Sequence, residues 1–255
     1  MTAPLPLSVC VITRDASAQL PECLASARFA AETVVVDSGS RDDTVELARR
    51  SGARVIAQDW LGFGPQKNFA VAAAAHDWVL CLDADERVTP ELAAAIAALF
   101  QPGPPPAAAY ACARRNRFLG RWLAHGEGYP DWNVRLFDRR RARWTDDPVH
   151  EHVVAAGAVA RIRGDLLHAS AESIDAYWAK QNRYTTLQAE AMHARGERAG
   201  ALRLVVSPIA RFVRFYILKL GCLDGVPGFV HIAIGSFASF MKYAKLRALA
   251  QGAPR

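Results

Sequence analysis

The sequence predicts an α/β fold in which helices flank a mixed, mainly parallel sheet, with a helical extension at the C-terminal end. Short β-branched runs alternate with helical stretches through the first hundred residues, and signals for helix starts follow those runs. About half of the 255 residues (51%) are apolar, which is enough for a full core. The strands predicted in this region are 7–13, 33–37, 54–57 and 78–82.

Residues that start helices follow each predicted strand. Pro21 and Pro65 both suit a first helical turn. Ser40 with Asp43 three residues later resembles a capping box, and Thr89-Pro90-Glu91 supplies an N-cap, a first-turn proline and a first-turn acid. We therefore expect a helix after every strand, because parallel strands need crossover connections.

A proline-rich segment, QPGPPP at residues 101–106, divides the sequence, because consecutive prolines cannot continue a helix. The elements expected beyond it are strands at 108–113, 133–137 and 149–154 and a helix at 173–195. The sequence therefore predicts three parts, which are residues 1–105, 106–172 and 173–255.

Charge and cysteine content narrow the partners and the compartment. A net charge of +6 and a pI near 9.3 fit anionic partners such as nucleotide phosphates, nucleic acid or an anionic membrane surface, without choosing among them. The five cysteines are widely spaced and form no CxxC pair, which favours a reduced, cytosolic chain. The first residues carry no basic stretch before a short apolar run, so no secretion signal is expected.

The C-terminal part mixes apolar and basic residues. Residues 202–223 place arginines and a lysine among large apolar side chains, the LDGVPG segment is expected to form a hinge, and residues 229–241 are nearly all apolar. Because a membrane-spanning helix needs about 20 apolar residues, this run is too short to cross a bilayer comfortably. Two alternatives remain: helices that lie in or re-enter a membrane interface, and two core helices that pack on the main domain.

Two carboxylates, Asp83 and Asp85, directly follow the apolar run DWVLCL. In extended geometry, residues at i and i+2 project to the same side, here at the carboxyl end of a strand, where open α/β sheets bind ligands. Mg²⁺ takes one or two protein carboxylates and completes its shell with water and substrate phosphates. Two neighbouring negative charges are costly unless a cation or donors offset them. The pair therefore predicts a site for a metal and a phosphate.

A second polar turn, Asp37-Ser38-Gly39-Ser40, ends the predicted strand 33–37. Its small residues expose the backbone where a helix begins, which suits hydrogen bonds to a base or a ribose. A plain strand-to-helix turn would explain Ser40 and Asp43 but would leave Asp37 without a role. The turn contains no GxGxxG, which disfavours a dinucleotide-binding fold.

Four segments in this order and spacing, SVCVITRDA, VVVDSGSRDDT, GFGPQKNFAVAAA and WVLCLDADERV, resemble family 2 glycosyltransferases with the Rossmann-like GT-A fold. The later segments WNVRLFDRRRARW, DPVHEHV and KLGCLDGVPGF resemble more narrowly the bacterial lipopolysaccharide-core β-glucosyltransferases of that family. The resemblance covers nearly the whole chain. It implies a metal-dependent, inverting enzyme that moves a hexose from a nucleotide sugar, a UDP-sugar above all, to a saccharide of the lipopolysaccharide core or a related cell-envelope glycolipid.

The resemblance also implies roles for parts of the chain and for single residues. Residues 1–105 would bind the donor, 106–172 would bind the acceptor and catalyse transfer, and 173–255 would associate with a membrane. The donor-binding residues would be Thr13, Arg14, Asp37, Ser38, Gln66, Lys67, Asn68, Asp83 and Ala84. Asp85 would hold the metal, Mg²⁺ or Mn²⁺, with Asp83 and His150 as further ligands. The loop Arg14-Asp15 departs from the Asn-Glu that the family often carries there.

Inversion needs a carboxylate that accepts the proton of the attacking hydroxyl, and Glu151 is the predicted base. Glu127 and Asp131 are rival bases or acceptor-binding groups. Arg135 lies on a predicted strand and is expected to face a cleft, because an unpaired buried charge is expensive. The residues predicted to contact the acceptor are Glu127, Asp131, Trp132 and Arg135.

The basic and apolar C-terminal part predicts an acceptor embedded in a membrane and a cytoplasmic protein that is peripheral on the inner face of the cytoplasmic membrane. Nucleic-acid binding has only net charge behind it and is not expected. A nucleotidyltransferase remains an alternative, although ITRDASAQL lacks the glycines of a phosphate loop. A non-catalytic nucleotide-binding scaffold is another, against which the intact DADE and VHE segments argue. The sequence leaves the oligomeric state open.

Overall fold

The computed structural model describes residues 3–101, 103–147, 151–169 and 173–252. The chain forms two compact units. The first, here called the sheet unit, comprises Met1–Arg114 and Asp131–Ala169. The second, here called the helical unit, comprises Arg115–Pro130 and Ser170–Arg255. The predicted three-part division is drawn on function and stays a prediction.

A mixed sheet with flanking helices confirms the predicted fold class. The strands order themselves as β3-β2-β1-β4-β8-β6-β11-β5, with β7 paired to the end of β6. Strands β1 to β4 pair in parallel, and β8 runs antiparallel to both β4 and β6. Their bounds are β1 Leu5–Thr13, β2 Ala30–Asp37, β3 Arg54–Ala57, β4 Trp78–Asp83, β5 Glu86–Val88, β6 Ala109–Phe118, β7 Arg121–Trp122, β8 Asp131–Asp138, β9 Ala142–Trp144, β10 Val153–Ala155 and β11 Val159–His168.

Two apolar clusters cover the two faces of the sheet, and β1 shows why. Val9 and Val11 lie in one cluster, whereas Cys10 between them lies in the other. Successive side chains of a strand point to opposite faces, so a central parallel strand is apolar throughout. The helices of the sheet unit are α1 Leu20–Ser26, α2 Thr44–Arg50, α3 Phe63–Ala73 and α4 Pro90–Leu99.

The helix starts agree with the sequence in one case and differ in another. Thr89 caps α4 as predicted, since its side chain accepts a hydrogen bond from the Leu92 N–H. The capping box predicted at Ser40 is wrong, because α2 begins only at Thr44 with Asp43 as its N-cap residue. The Ser40 hydroxyl and backbone N–H instead donate to the Asp37 carboxylate. The turn after β2 is thus organised around Asp37, the residue that the capping argument left without a role.

The register of the parallel strands places three polar residues at one edge. Thr13 pairs with Asp37 at the ends of β1 and β2, and Ile12 of β1 pairs with Asp83 at the end of β4. Thr13, Asp37 and Asp83 therefore meet at the carboxyl edge, where sheets of this class bind ligands.

The helical unit consists of α5 Ile174–Ala194, α6 Ala201–Phe212 and α7 Gly225–Ala250, with α7 packed on the other two. A π-helical stretch, Val213–Leu218, and a short 3₁₀ turn, Gly221–Asp224, connect α6 to α7. The hinge predicted at LDGVPG is wrong, because α7 begins inside it. Pro227 lies in the first turn of α7, where its missing N–H costs no hydrogen bond.

Candidate active site

Asp83 ends β4 with both carboxylate oxygens paired to cations. Its Oδ1 lies 3.0 Å from Lys67 Nζ, and its Oδ2 accepts a 2.7 Å hydrogen bond from Arg135 Nη2. Burial alone would raise the pKa of Asp83, but the charges of Arg135 and Lys67 outweigh it and hold this pKa well below its usual range. Asp83 is therefore an ionised carboxylate that the protein itself neutralises.

Lys67 joins this aspartate to the predicted base. The Lys67 ammonium lies 3.0 Å from Glu151 Oε1 as well as 3.0 Å from Asp83 Oδ1. The side chain is buried on α3, and its ammonium lies 4.4 Å from the centre of the Trp144 ring. One cation thus brings together two carboxylates that are far apart in the sequence.

Arg135 differs from its prediction as a cleft-facing residue. Its side chain is 4% exposed, and its guanidinium bonds Glu86, which is itself fully buried, at 2.5 Å and Asp83 at 2.7 Å. Burial would lower the pKa of Arg135, but Glu86 and Asp83 raise it above its usual value. The burial is tolerated because two carboxylates compensate the charge, an arrangement that the sequence argument did not weigh.

Asp85 has a different environment from Asp83. Its Oδ2 lies 3.1 Å from His168 Nε2, and 30% of its side chain is exposed. Burial would raise the pKa of Asp85, but the hydrogen bond and charge of His168 lower it. A carboxylate oxygen and an imidazole nitrogen are both ligands that divalent metals take, so this pair suits a cation completed by water and phosphate. Within the described ranges, no group of three or more potential metal ligands occurs.

The described residues include most of the remaining predicted donor-binding residues but not the predicted metal ligand His150. His150 lies outside the described residues. Gln66 is fully buried and donates to Ser38 Oγ at 2.9 Å, while Thr13 donates to Asp37 Oδ1 at 3.2 Å. These two side-chain pairs are joined through the backbone, because the Ser38 N–H donates to the Thr13 carbonyl at 2.9 Å, and their position at the sheet edge suits the predicted donor pocket.

Two donor-binding predictions receive little support from the geometry. The Asn68 amide is used structurally, since it donates to the Trp144 carbonyl at 2.9 Å and accepts from the Trp144 N–H at 3.0 Å. It therefore fastens β9 to α3 instead of projecting from the helix. Arg14 is exposed, and its nearest carboxylate is Asp15 at 4.0 Å.

The predicted acceptor residues divide between the two units. Asp131 accepts from Arg114 at 2.7 Å, and Trp132 is exposed with the Arg161 guanidinium 4.5 Å from its ring centre. Glu127 belongs to the helical unit, where it is paired with Arg211. Burial raises the pKa of Glu127 despite that pairing. Their roles towards an acceptor stay predictions.

Sequence reasoning missed Glu86, Trp144 and His168. Glu86 is the last letter of the DADE segment, and its Oε2 accepts the Asp83 N–H at 3.0 Å. His168 is brought to Asp85 because it pairs with Glu86 in the β5–β11 ladder. A histidine directly after two leucines at the end of β11 was a weak signal for that residue, whereas the role of Trp144 depends on distant contacts with α3.

The mainly parallel sheet with flanking helices and an acidic strand end has the GT-A fold. The crystal structure of S. aureus TarS in complex with UDP-GlcNAc shares the fold with a TM-score of 0.52 at 14% identity, over 98% of this chain and 93% of that one. Residues 8–162 match the model of the family described as glycosyl transferase family 2. The match spans more than half of the chain, so the protein belongs to this family.

Two relatives extend the similarity beyond the sheet unit. The lipopolysaccharide core biosynthesis glycosyltransferase LpsC of Rhizobium meliloti is 31% identical over 96% of this chain and 93% of its own length. An uncharacterised glycosyltransferase of Rickettsia prowazekii is 30% identical over 95% of this chain and 87% of its own length. The predicted resemblance to family 2, including its lipopolysaccharide-core members, is thereby confirmed.

Proposed function

We propose that the protein is a metal-dependent, inverting hexosyltransferase that uses a UDP-sugar as donor and a saccharide of the lipopolysaccharide core as acceptor. The observation that carries the proposal is the Lys67 ammonium, 3.0 Å from both Asp83 and Glu151. This ion pair supports the proposal because Glu151, the predicted base, lies beside the end of β4, where family 2 enzymes are expected to hold their donor.

The donor would lie along the carboxyl edge of β1, β2 and β4. Asp37, Thr13 and Gln66 offer hydrogen-bonding groups for the base and ribose, and the turn after Asp37 is open at Gly39, where a Cβ would meet nothing within 4 Å. In this assignment residues 1–105 form the donor half, and residues 106–172 the acceptor half.

Asp85 and His168 would hold the divalent cation. Asp83 is the poorer ligand, because both of its oxygens are occupied by Lys67 and Arg135. When bound, Mg²⁺ or Mn²⁺ supplies positive charge for the donor diphosphate. Arg135 and Lys67 compensate the charge of Asp83, which offsets part of the repulsion between Asp83 and Asp85.

Glu151 would accept the proton of the acceptor hydroxyl. As that oxygen attacks the anomeric carbon, the bond from this carbon to the diphosphate oxygen breaks, and its electron pair leaves with the nucleoside diphosphate. The hydrogen bond from Lys67 engages Oε1 of Glu151, which orients the carboxylate and leaves Oε2 for the proton. One displacement of this kind inverts the configuration at the anomeric carbon.

The proposed acceptor and location follow from the whole-length similarity to LpsC and from the composition of residues 173–255. Lipopolysaccharide-core saccharides are lipid-linked, so the enzyme would work as a peripheral protein on the inner face of the cytoplasmic membrane. Basic side chains near an anionic surface add roughly 1 kcal/mol of attraction each.

The test is donor turnover across a panel of UDP-sugars and ADP-heptose, with and without Mg²⁺ or Mn²⁺. We expect release of nucleoside diphosphate that needs metal and falls by at least about tenfold in Asp85→Ala, with Asp175→Ala, an exposed aspartate of the helical unit, as control. Activity that persists unchanged without metal and in Asp85→Ala would overturn the proposal. Formation of a nucleoside triphosphate and a sugar 1-phosphate when pyrophosphate is added would indicate a nucleotidyltransferase.

A further inference from the structure

The connection between α6 and α7 carries an unusually exposed apolar surface. We call residues 201–229 the hairpin, and its turn region, residues 213–226, the apex. None of the twelve residues of α6 is buried. At the apex, Leu218 is 74% exposed and Val226 is 72% exposed. The other large apolar side chains exposed on the hairpin are Leu202, Val205, Val206, Ile209, Val213, Ile217, Leu220, Leu223 and Phe229.

This surface is costly in water. Transfer of a Leu or Val side chain out of water is favourable in proportion to the apolar area removed from it. Soluble monomers rarely expose contiguous apolar patches of this extent, and such patches mark protein or membrane contacts. The hairpin therefore needs an occupant that removes these side chains from water.

Charge identifies that occupant as an anionic lipid surface. Asp224 is the one acidic residue among residues 198–252, and it is 1% exposed. It accepts the N–H groups of Ala124 at 2.9 Å and His125 at 2.8 Å, so its charge is compensated inside the helical unit. The basic residues of the same stretch are Arg198, Arg203, Arg211, Arg214, Lys219, Lys242, Lys245 and Arg247.

The cations nearest the apex are placed as an interfacial segment requires. Arg214 and Lys219 are exposed beside Leu218, so their long side chains can reach headgroups while the apolar neighbours enter the lipid. Arg211, by contrast, is bonded to Glu127 within the unit. A protein partner would normally also meet acidic or neutral polar groups at the rim, and the described hairpin exposes no acidic residue.

The apex is a defined shape rather than a loose loop. The Gly126 N–H donates to the Lys219 carbonyl at 2.9 Å, and Leu220 turns the chain with a φ of 55°. A Cβ on Gly228 would lie 2.5 Å from the Gly221 carbonyl oxygen, so the two backbone segments are in direct contact. The apolar side chains are thus presented on a scaffold that is already ordered.

The part of α7 beyond the apex does not span the bilayer, because it is a core helix of the helical unit. Among the described residues, Gly221–Ala250 is the helical span that is long and apolar enough to cross a membrane. Its inner face is occupied, however, since Ile232 and Leu246 are buried and Tyr243 packs with Ala189 and Met192 of α5. A spanning helix would have to abandon these contacts.

We propose that the apex, residues 213–226, inserts into one leaflet of an anionic bilayer as a monotopic anchor, with Arg214 and Lys219 at the level of the headgroups. This goes beyond the proposed peripheral location, because it assigns the contact to one segment and excludes a span by α7. It rests on the helical unit alone and not on the reaction.

The test is co-flotation of the full chain with vesicles of phosphatidylcholine containing phosphatidylglycerol. Wild type should float, and Leu218→Glu and Val226→Glu should each reduce the partition coefficient by at least about tenfold, since a charge in place of a buried aliphatic group opposes insertion. Val159→Glu, at an exposed valine of the sheet unit, is the matched control and should float like wild type. Far-UV circular dichroism of each variant verifies that it is folded.

Two further measurements separate insertion from simple attraction and from self-association. A fluorophore at Cys222, the exposed cysteine of the apex, should be quenched by bromine on the lipid acyl chains of one leaflet. If wild type floats but the apex variants float equally and Cys222 is not quenched, the membrane location stands and the insertion is wrong. If the apex variants instead abolish a dimer seen by sedimentation while flotation is unchanged, the surface is a contact between copies and the proposal is overturned.

Discussion

The two units of the chain treat charge and apolar surface in opposite ways. In the sheet unit, Arg135 and Glu86 are buried and paired with each other, and the buried Lys67 is paired with Asp83 and Glu151. In the helical unit, large aliphatic side chains from Leu202 to Phe229 are exposed, and the one acid of the hairpin is buried. The buried charges lie at the proposed donor site, and the exposed apolar side chains form the proposed membrane contact.

The two units should therefore be destabilised by different kinds of substitution. A buried ion-pair network is strongly destabilised by the loss of one partner, because the remaining charge is left uncompensated. A helical hairpin with few buried charges depends on close backbone packing instead. We therefore expect removal of a buried charge to destabilise the sheet unit, and crowding of the backbone to destabilise the helical unit.

The largest effect is expected on catalysis, at Glu151, the half-buried end of the network. Glu151→Gln keeps the shape of the side chain but removes the proton acceptor, so kcat/KM for transfer should fall about 10²–10⁴-fold. Binding of the nucleoside diphosphate, measured by calorimetry, should stay within about threefold of wild type. Full activity in this variant would move the role of base to Asp131 or Glu127.

The next largest effect is expected on stability when the buried cation is removed. Arg135→Met leaves Asp83 and Glu86 without their shared partner, so the free energy of unfolding should fall by about 3–5 kcal/mol. Arg140→Met removes an exposed arginine that pairs with Asp77 and Asp138, and should lower the free energy of unfolding much less than Arg135→Met. Denaturant unfolding measures both. Equal losses would show that burial is not what makes the network important.

A shape change should matter in the helical unit. Gly228→Ala places a Cβ 2.5 Å from the Gly221 carbonyl oxygen, so the backbones must separate and stability should fall by about 1–3 kcal/mol. Gly200→Ala is the control in the same unit, because its Cβ would meet nothing within 4 Å. Urea unfolding of both variants tests the point, and an unaffected Gly228→Ala protein would contradict the described contact at the apex.

The smallest effect is expected from acid. The pKa of Asp83 in the folded protein lies well below its value of about 3.9 in an unfolded chain. Its stabilising contribution is therefore complete above about pH 4 and is lost as the pH falls through the folded pKa. The free energy of unfolding should decline below pH 4 less steeply in Asp83→Asn than in wild type. Identical pH profiles would show that Asp83 contributes no such dependence.

Local patterns carried most of the fold prediction. The strand before Asp83 is buried on both faces and so reads as a continuous apolar run, and Thr89 with Pro90 marks the start of α4 in the sequence itself. The acidic pair was visible for the same reason, because its position depends on one strand. Ser40 misled because its hydroxyl had a stronger local acceptor in Asp37 than the helix offered.

The parts that could not be predicted depend on contacts across long sequence separations. Lys67 and Glu151 are 84 residues apart, and nothing near either residue indicates that they share a hydrogen bond. The burial of Arg135 could be predicted only from its ion pairs with Glu86 and Asp83, and these residues lie about 50 positions earlier in the sequence. The hydrogen bonds between the Asn68 amide and the Trp144 backbone are likewise invisible in the sequence, and the donor contact predicted for Asn68 stays a prediction.

The contact between Gly221 and Gly228 limits which amino-acid substitutions this protein can accept during evolution. At these positions any side chain would meet a backbone oxygen, at 2.7 Å for Gly221 with Phe215 and at 2.5 Å for Gly228 with Gly221. The neighbouring Leu218 and Val226 are exposed and need only be apolar, so one aliphatic residue can replace another there without repacking. Descendants of this gene should therefore keep two fixed glycines set among freely exchanged leucines, valines and isoleucines.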